Sequence, residues 1–194
     1  NSIRDVDMLE RLLRFVISNI GLTFSSKSIS NYMKSENRKV APETIINYNK
    51  ACSDAFLFQR VPRFDINGKK ILKTQEKLYL TDHGIRETLS NNSKDVEKLL
   101  ENIICIELLR RGYRLMVGNV NQQEIDFIAE KEGKREYYQV TYVLGSEEII
   151  KREFEPLYNI RDNFPKYVIS WLDEADFSQQ GIHHVKVLDF LNQQ

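Results

Sequence analysis

LLENIICIELLRRGYRLMVGNVNQQEIDFIAEKEGKREYYQVTY, residues 99–142, changes its hydrophobic period part-way along, and that change sets the fold. Leu99, Leu100, Ile103, Ile104, Leu108 and Leu109 recur at helical spacing. The basic pair Arg110–Arg111 then precedes Gly112, cations and glycine being what the carbonyl end of a helix favours. Beyond it the period becomes two: Tyr113, Leu115 and Val117, then Ile125, Phe127 and Ala129, then Tyr138, Val140 and Tyr142. A helix therefore feeds three strands. Alternation puts Glu124 and Asp126 on one face of the second strand and Tyr137, Gln139 and Thr141 on one face of the third. A carboxylate, an amide and a hydroxyl are thus expected to converge beside the helix that carries Glu101.

A helical glutamate, a strand aspartate, a short hairpin and a polar-x-polar pair on the next strand resemble the core of the PD-(D/E)xK nuclease fold. The resemblance implies a restriction-endonuclease-like αβββαβ core, with Glu101 as the helical acid, Asp126 as the central Asp, Gln139 at the (D/E) position and Thr141 at the lysine position. It also implies Mg²⁺ held by Glu101 and Asp126. Two positions depart from the family's chemistry. An amide at Gln139 brings less charge to a hard cation than a carboxylate, and Thr141 offers no cation to the transition state. The centre reads as degenerate, with Glu101, Asp126, Gln139 and Thr141 as vestigial catalytic positions.

A narrower resemblance runs through the phrases RVPRFDINGKKILKTQEKLYLTDHGIR, LLENIICIELLRRGY, EIDFIAE, QVTYVL and FPKYVIS. In this order they are similar to the C-terminal region, a domain of unknown function, of bacterial and archaeal AAA+ family ATPases. The resemblance covers essentially the whole chain. It implies an N-terminal ATPase domain in the same polypeptide, which would use ATP and Mg²⁺. No G-x-x-x-x-G-K-[ST] occurs here, so a P-loop is not expected within this chain, and the start at Asn1 without Met suits a fragment of something longer.

The 194 residues suffice for one large domain or two small ones, and 41% apolar with 29% charged residues is the balance of a folded globular chain rather than a disordered one. The formal net charge is zero, yet residues 1–90 hold 15 Lys+Arg against 10 Asp+Glu and the remainder 13 against 18. Phosphate contacts are therefore sought first in the N-terminal part. Cys52 and Cys105 stand apart, without the clustered partners of a zinc site, and read as small buried hydrophobes of a reduced cytoplasm. No membrane-length apolar run or signal peptide is expected.

Val6, Leu9, Leu12, Leu13, Val16, Ile17 and Ile20 mark a first helix over about 5–20, ended by Gly21. Ser25–Ser26 caps a second helix up to about Ser35, and Pro42 opens a third that continues to Phe56. Residues 56–82 alternate around Asn67–Gly68, a strong hairpin signal, with Pro62 tolerable on an edge. Three helices and a hairpin are the order of a winged helix-turn-helix. LSNNSK, residues 89–94, reads as a linker, dividing a winged-helix domain over 1–90 from a nuclease-like domain over 91–194. After Tyr142 the pattern predicts a helix from Ser146 to about Ile160 with a kink or local break at Pro156, then strands at Lys166–Trp171 and Ile182–Leu188. The fold class is α+β in two domains.

Arg60, Arg63, Lys69, Lys70, Lys73 and Lys77 gather on the hairpin, where as a wing they could straddle a phosphate backbone. The third helix reads poorly for sequence recognition, because Glu43, Asn47, Asn49, Lys50 and Asp54 are mixed in charge. Glu101 and Glu107 also fit the solvated side of an amphipathic helix, and Asp126 also fits a structural carboxylate bridged by Gln139. Lys151 and Arg152 are cations that could replace the one missing at 141. His183 and His184 point to opposite faces of a strand, His83 stands alone, and triad chemistry finds no support. The first expectation is a non-enzymatic interaction or targeting module of an AAA+ protein, with DNA or another protein as partner. The alternatives are a Mg²⁺-dependent nuclease and a non-cleaving DNA-binding module that acts through the basic wing.

Overall fold

The computed structural model describes residues 5–89, 95–173 and 175–193, with the backbone alone at 73–75 and 87–89. The chain is α+β and divides into two compact units, Asn1–Val61 with Thr74–Lys94, and Pro62–Lys73 with Asp95–Gln194. This differs from a single cut in the sequence: the far end of the hairpin groups with the second unit. Most of the expected linker, residues 90–94, lies outside the described residues.

In the first unit, α1 (Val6–Ser18) starts where the Asp5 side chain accepts the Met8 N–H at 2.9 Å. Met8, Leu12 and Val16, one turn apart each time, form its buried stripe. Gly21, at φ 75, reverses the chain into the short strand β1 (Thr23–Phe24). In α2 (Ser26–Ser35) a capping box joins Ser25 and Ser28, and in α3 (Pro42–Asp54) proline occupies the first turn. Then follow β2 (Phe58–Asp65), β3 (Lys70–Leu80) and α4 (His83–Leu89). β1 pairs antiparallel with β3, Thr23 opposite Lys77. Leu12, Val16, Ile29, Met33, Ile45 and Phe58 are each at most 1% exposed. Burial of such a side chain is worth about 1.5–3 kcal/mol, which makes this helical cluster the core of the unit.

The second unit runs α5 (Val96–Arg110), β4 (Arg114–Val120), β5 (Gln123–Lys131), β6 (Lys134–Thr141), α6 (Glu147–Tyr158), β7 (Lys166–Ser170), β8 (Ile182–Lys186) and α7 (Val187–Asn192). The end of β2 joins this mixed sheet: Arg63, Phe64 and Asp65 lie parallel to Val117, Gly118 and Asn119. β5 pairs antiparallel with β4 on one side and β6 on the other, and β6, β7 and β8 are parallel. Ile125, Ile128, Tyr137, Phe154, Leu157 and Val168 belong to one buried cluster that seats α6 on the sheet. The register shifts between Met116 and Gly118, and a Cβ at Gly118 would come within 2.8 Å of the Ile125 Cβ, so only glycine fits the close strand approach there.

The element order from α5 to β7, helix, three strands, helix, strand, follows the hydrophobic pattern. Three elements do not follow it. β1 is too short to show a period. α4 begins just after Asp82, whose side chain accepts the Gly84 N–H at 2.7 Å, where His83–Gly84 reads as a terminator. α7 starts at Val187, inside the stretch whose alternation suggests a strand to Leu188, because Val187 and Phe190 bury one helical turn apart.

Candidate functional site

The antiparallel pairing of β5 with β6 runs from Lys131 opposite Lys134 to Phe127 opposite Tyr138. The next step sets Asp126 against Gln139, and here side chains take over from the ladder. The Asp126 N–H donates to the Gln139 Oε1 at 2.8 Å, and the Val140 N–H donates to the Asp126 Oδ2 at 2.9 Å. Each side chain thus satisfies the backbone of the opposite strand. The Gln139 Nε2 donates on to the Glu153 Oε2 at 3.3 Å, and the Arg152 Nε donates to the Glu153 Oε1 at 2.8 Å. The network is Asp126–Gln139–Glu153–Arg152.

Glu153 projects from α6 and is only 6% exposed. Burial pushes its carboxyl above the usual carboxylate range, while Arg152 pulls the other way. Glu97, in the first turn of α5, adds like-charge repulsion to Glu153 and attraction to Arg152, so that turn faces the network. Glu101 follows Glu97 by four residues, hence on the same helical stripe, and is half-buried. Thr141 is 1% exposed, and its Oγ1 meets no hydrogen-bond partner among the described residues.

These donors do not fit a Mg²⁺ ion. It needs hard oxygens free to enter its octahedral shell, and carboxylates best of all. Position 139 brings a neutral amide whose carbonyl already accepts the Asp126 N–H, and position 141 brings a hydroxyl where the family's chemistry uses a cation. Among the described residues no three His, Cys, Asp or Glu side chains form a group that could hold a metal ion.

Glu107 is engaged by Arg110 and Arg111, each at 2.7 Å, which holds its carboxyl below the usual range, an interaction local to its own helix end. The hairpin cations are scattered. Arg60 pairs with Glu76 at 2.9 Å, Lys77 is 3% exposed, Arg63 is half-buried, and Lys73 is among the residues whose side chains lie outside the description. Lys69 and Lys70 are exposed at the turn. Cys52 and Cys105 are both buried and joined in no disulfide, and burial raises the Cys52 thiol.

The parallel register of β7 and β8 also makes a pair with no signal in the sequence: Ser170 Oγ lies 2.8 Å from the His184 Nε2. Its chemistry is structural. The Phe177 N–H lies 3.3 Å from the His184 Nδ1, so the neutral imidazole is tied to the loop before β8 as well as to Ser170. Burial lowers the His184 pKa and favours that neutral form. Ser170 is 0% exposed, which closes its hydroxyl to a substrate. Glu153, by contrast, had a signal: it lies on the stripe Ile149, Ile150, Phe154, Leu157, where a carboxylate is out of place without partners.

Residues 1–96 match the family described as "Domain of unknown function (DUF8612)". The chain is 34% identical over 192 residues to an uncharacterized protein of Haemophilus influenzae, covering 98% of this chain and 47% of that protein. It is 31% identical over 183 residues to an uncharacterized protein of Methanocaldococcus jannaschii, covering 90% of this chain and 41% of that protein. The chain thus spans less than half the length of these curated relatives. No solved structure matches it. Among the described residues no helix is long and apolar enough to cross a membrane.

Proposed function

We propose that this chain is a C-terminal interaction or targeting module of an AAA+ family ATP-binding protein, a winged helix followed by a nuclease-like domain that does not cut. The observation that carries this reading is the Asp126–Gln139–Glu153 network, in which a neutral amide at the (D/E) position accepts the Asp126 N–H and donates to Glu153. The ordered phrases shared with the AAA+ C-terminal regions support the assignment. The curated relatives have more than half their length outside the match, room in them for an ATPase domain with its own ATP and Mg²⁺.

Calorimetry with Mn²⁺ and incubation with labelled DNA test it together. The unmodified chain is expected to leave DNA intact and to bind Mn²⁺ no better than scattered surface carboxylates. Gln139→Glu combined with Thr141→Lys completes the acid-x-lysine strand face and is expected to gain Mn²⁺ affinity. Stoichiometric Mn²⁺ binding by the unmodified chain, lost in Asp126→Ala, would favour the Mg²⁺-dependent nuclease instead. The family half of the reading is tested by the full gene product, which is expected to carry a P-loop before Asn1.

Non-cleaving DNA binding through the hairpin is the second reading, supported by the exposed Lys69 and Lys70 at its turn. Changing both to Gln is expected to weaken DNA binding and flatten its salt dependence.

A further inference from the structure

At the opposite end of the β5–β6 hairpin from Asp126, the second unit carries an open cleft of about 800 Å³. That is within the size of small-molecule sites, roughly 300–1,000 Å³. Its walls come from the end of β2 with its turn, the β5–β6 turn, and the segment between α6 and β7. Asp126, Gln139, Arg152 and Glu153 take no part in its lining, so this cleft is distinct from the network above.

Its charge is one-sided once internal pairs are set aside. Glu130 is taken by Arg135, and Asp162 by Lys166 at 3.5 Å and by the Tyr137 hydroxyl at 2.6 Å. The Lys131 Nζ donates to the Arg111 carbonyl, an acceptor that carries no countercharge. Lys69, Arg114, Lys134 and Arg161 also line the cleft and are paired with no carboxylate among the described residues, against Glu132 as the remaining acid. On a convex surface four such cations would be ordinary. Lining a concavity with low-dielectric walls, they focus positive potential on one volume.

The cleft also has an aromatic wall. The Arg135 guanidinium lies 5.2 Å from the Phe64 ring centre and 6.0 Å from that of Phe164, and its ion pair with Glu130 fixes it there. Phe164 is 42% exposed. Guanidinium and ammonium donors match phosphate, and an exposed ring beside them offers a stacking face to any base.

We propose that this cleft binds a nucleotide unit, its phosphate held by Lys134 and Arg161 and its base stacked on Phe164. The same chemistry is presented by a free nucleotide and by a unit of a single strand. The assignment does not depend on the reading of the Asp126 centre; it shares Lys69 with the hairpin reading, but Lys134, Arg161 and Phe164, on which its test acts, lie outside that hairpin, so either reading can fail without the other.

The test is calorimetry on the full chain at low salt with adenosine 5′-monophosphate, inorganic phosphate, an eight-nucleotide oligothymidylate and poly-glutamate. The mononucleotide should bind at least tenfold tighter than phosphate. Lys134→Gln with Arg161→Gln should lose at least tenfold of that affinity. Phe164→Ala should lose about fivefold toward the nucleotide and leave phosphate binding unchanged, a split that unfolding cannot produce. An oligothymidylate tenfold tighter than the mononucleotide identifies the single strand as the source; equal affinity identifies the free nucleotide. The proposal is overturned if neither nucleotide probe exceeds phosphate, if the double variant binds as the parent does, or if poly-glutamate binds as well as the oligonucleotide.

Discussion

The two ends of the β5–β6 hairpin use the same residue types to opposite ends. At the Asp126–Gln139 end, polar side chains replace the missing ladder bonds, and a buried Glu153 closes the set. At the turn end, one ion pair between Glu130 and Arg135 is closed while Lys69, Arg114, Lys134 and Arg161 stay without carboxylate partners among the described residues. Polar residues that complete one another hold strands in register. Polar residues left with spare donors around a concavity are available to a ligand. The difference lies in partners and burial, which composition alone does not report.

The sharpest way to break this comparison is Gln139→Ala. It strips the Asp126 N–H of its acceptor and removes a donor from the buried Glu153, at an expected cost of about 2–4 kcal/mol in urea unfolding. A loss below about 1 kcal/mol would mean the network does not hold this end together. Asp126→Ala, which strands the Val140 N–H, should cost about 1–3 kcal/mol by the same measurement.

Glu153 sharpens the contrast through pH. Its folded carboxyl is raised above the ordinary 4.5, so its neutral form is favoured by folding. The stability this contributes is fully present below the unfolded value and is lost as pH rises through the folded one. Glu153→Gln removes the titration. The melting temperature of the unmodified chain relative to the variant should therefore fall as pH is raised from about 4 to 7; a constant difference would show that the carboxyl is not raised. The smallest effect belongs to the open end. Lys134→Ala should change unfolding free energy by no more than about 0.5 kcal/mol, because no described carboxylate depends on it.

Much of the second unit was legible residue by residue. The switch from helical to alternating period at Gly112 located α5 and the three strands after it, and period two correctly set Asp126 and Gln139 on one side of the sheet. The capping signals at Ser25 and Pro42 marked α2 and α3 as firmly. The hairpin cations were found as residues but not as a surface: Arg60 turned out to face Glu76, and Lys77 to be buried. Neither follows from spacing, since strand pairing chooses each partner. α4 and α7 were missed because each is a few residues long and leans on tertiary burial rather than on a period of its own.

Local periodicity, caps and turn residues are encoded within a few positions, which is why the sequence by itself determined the α+β class, the order of elements from α5 to β7 and the candidates Asp126 and Gln139. Glu153 joining Gln139, Ser170 meeting His184, the end of β2 running beside β4 and the cations surrounding one cleft were decided only in the tertiary structure. Each depends on residues brought together from 14 or more positions apart, through sheet register and helix docking. Such contacts are fixed by the packing of whole elements, and no short stretch of sequence carries that information.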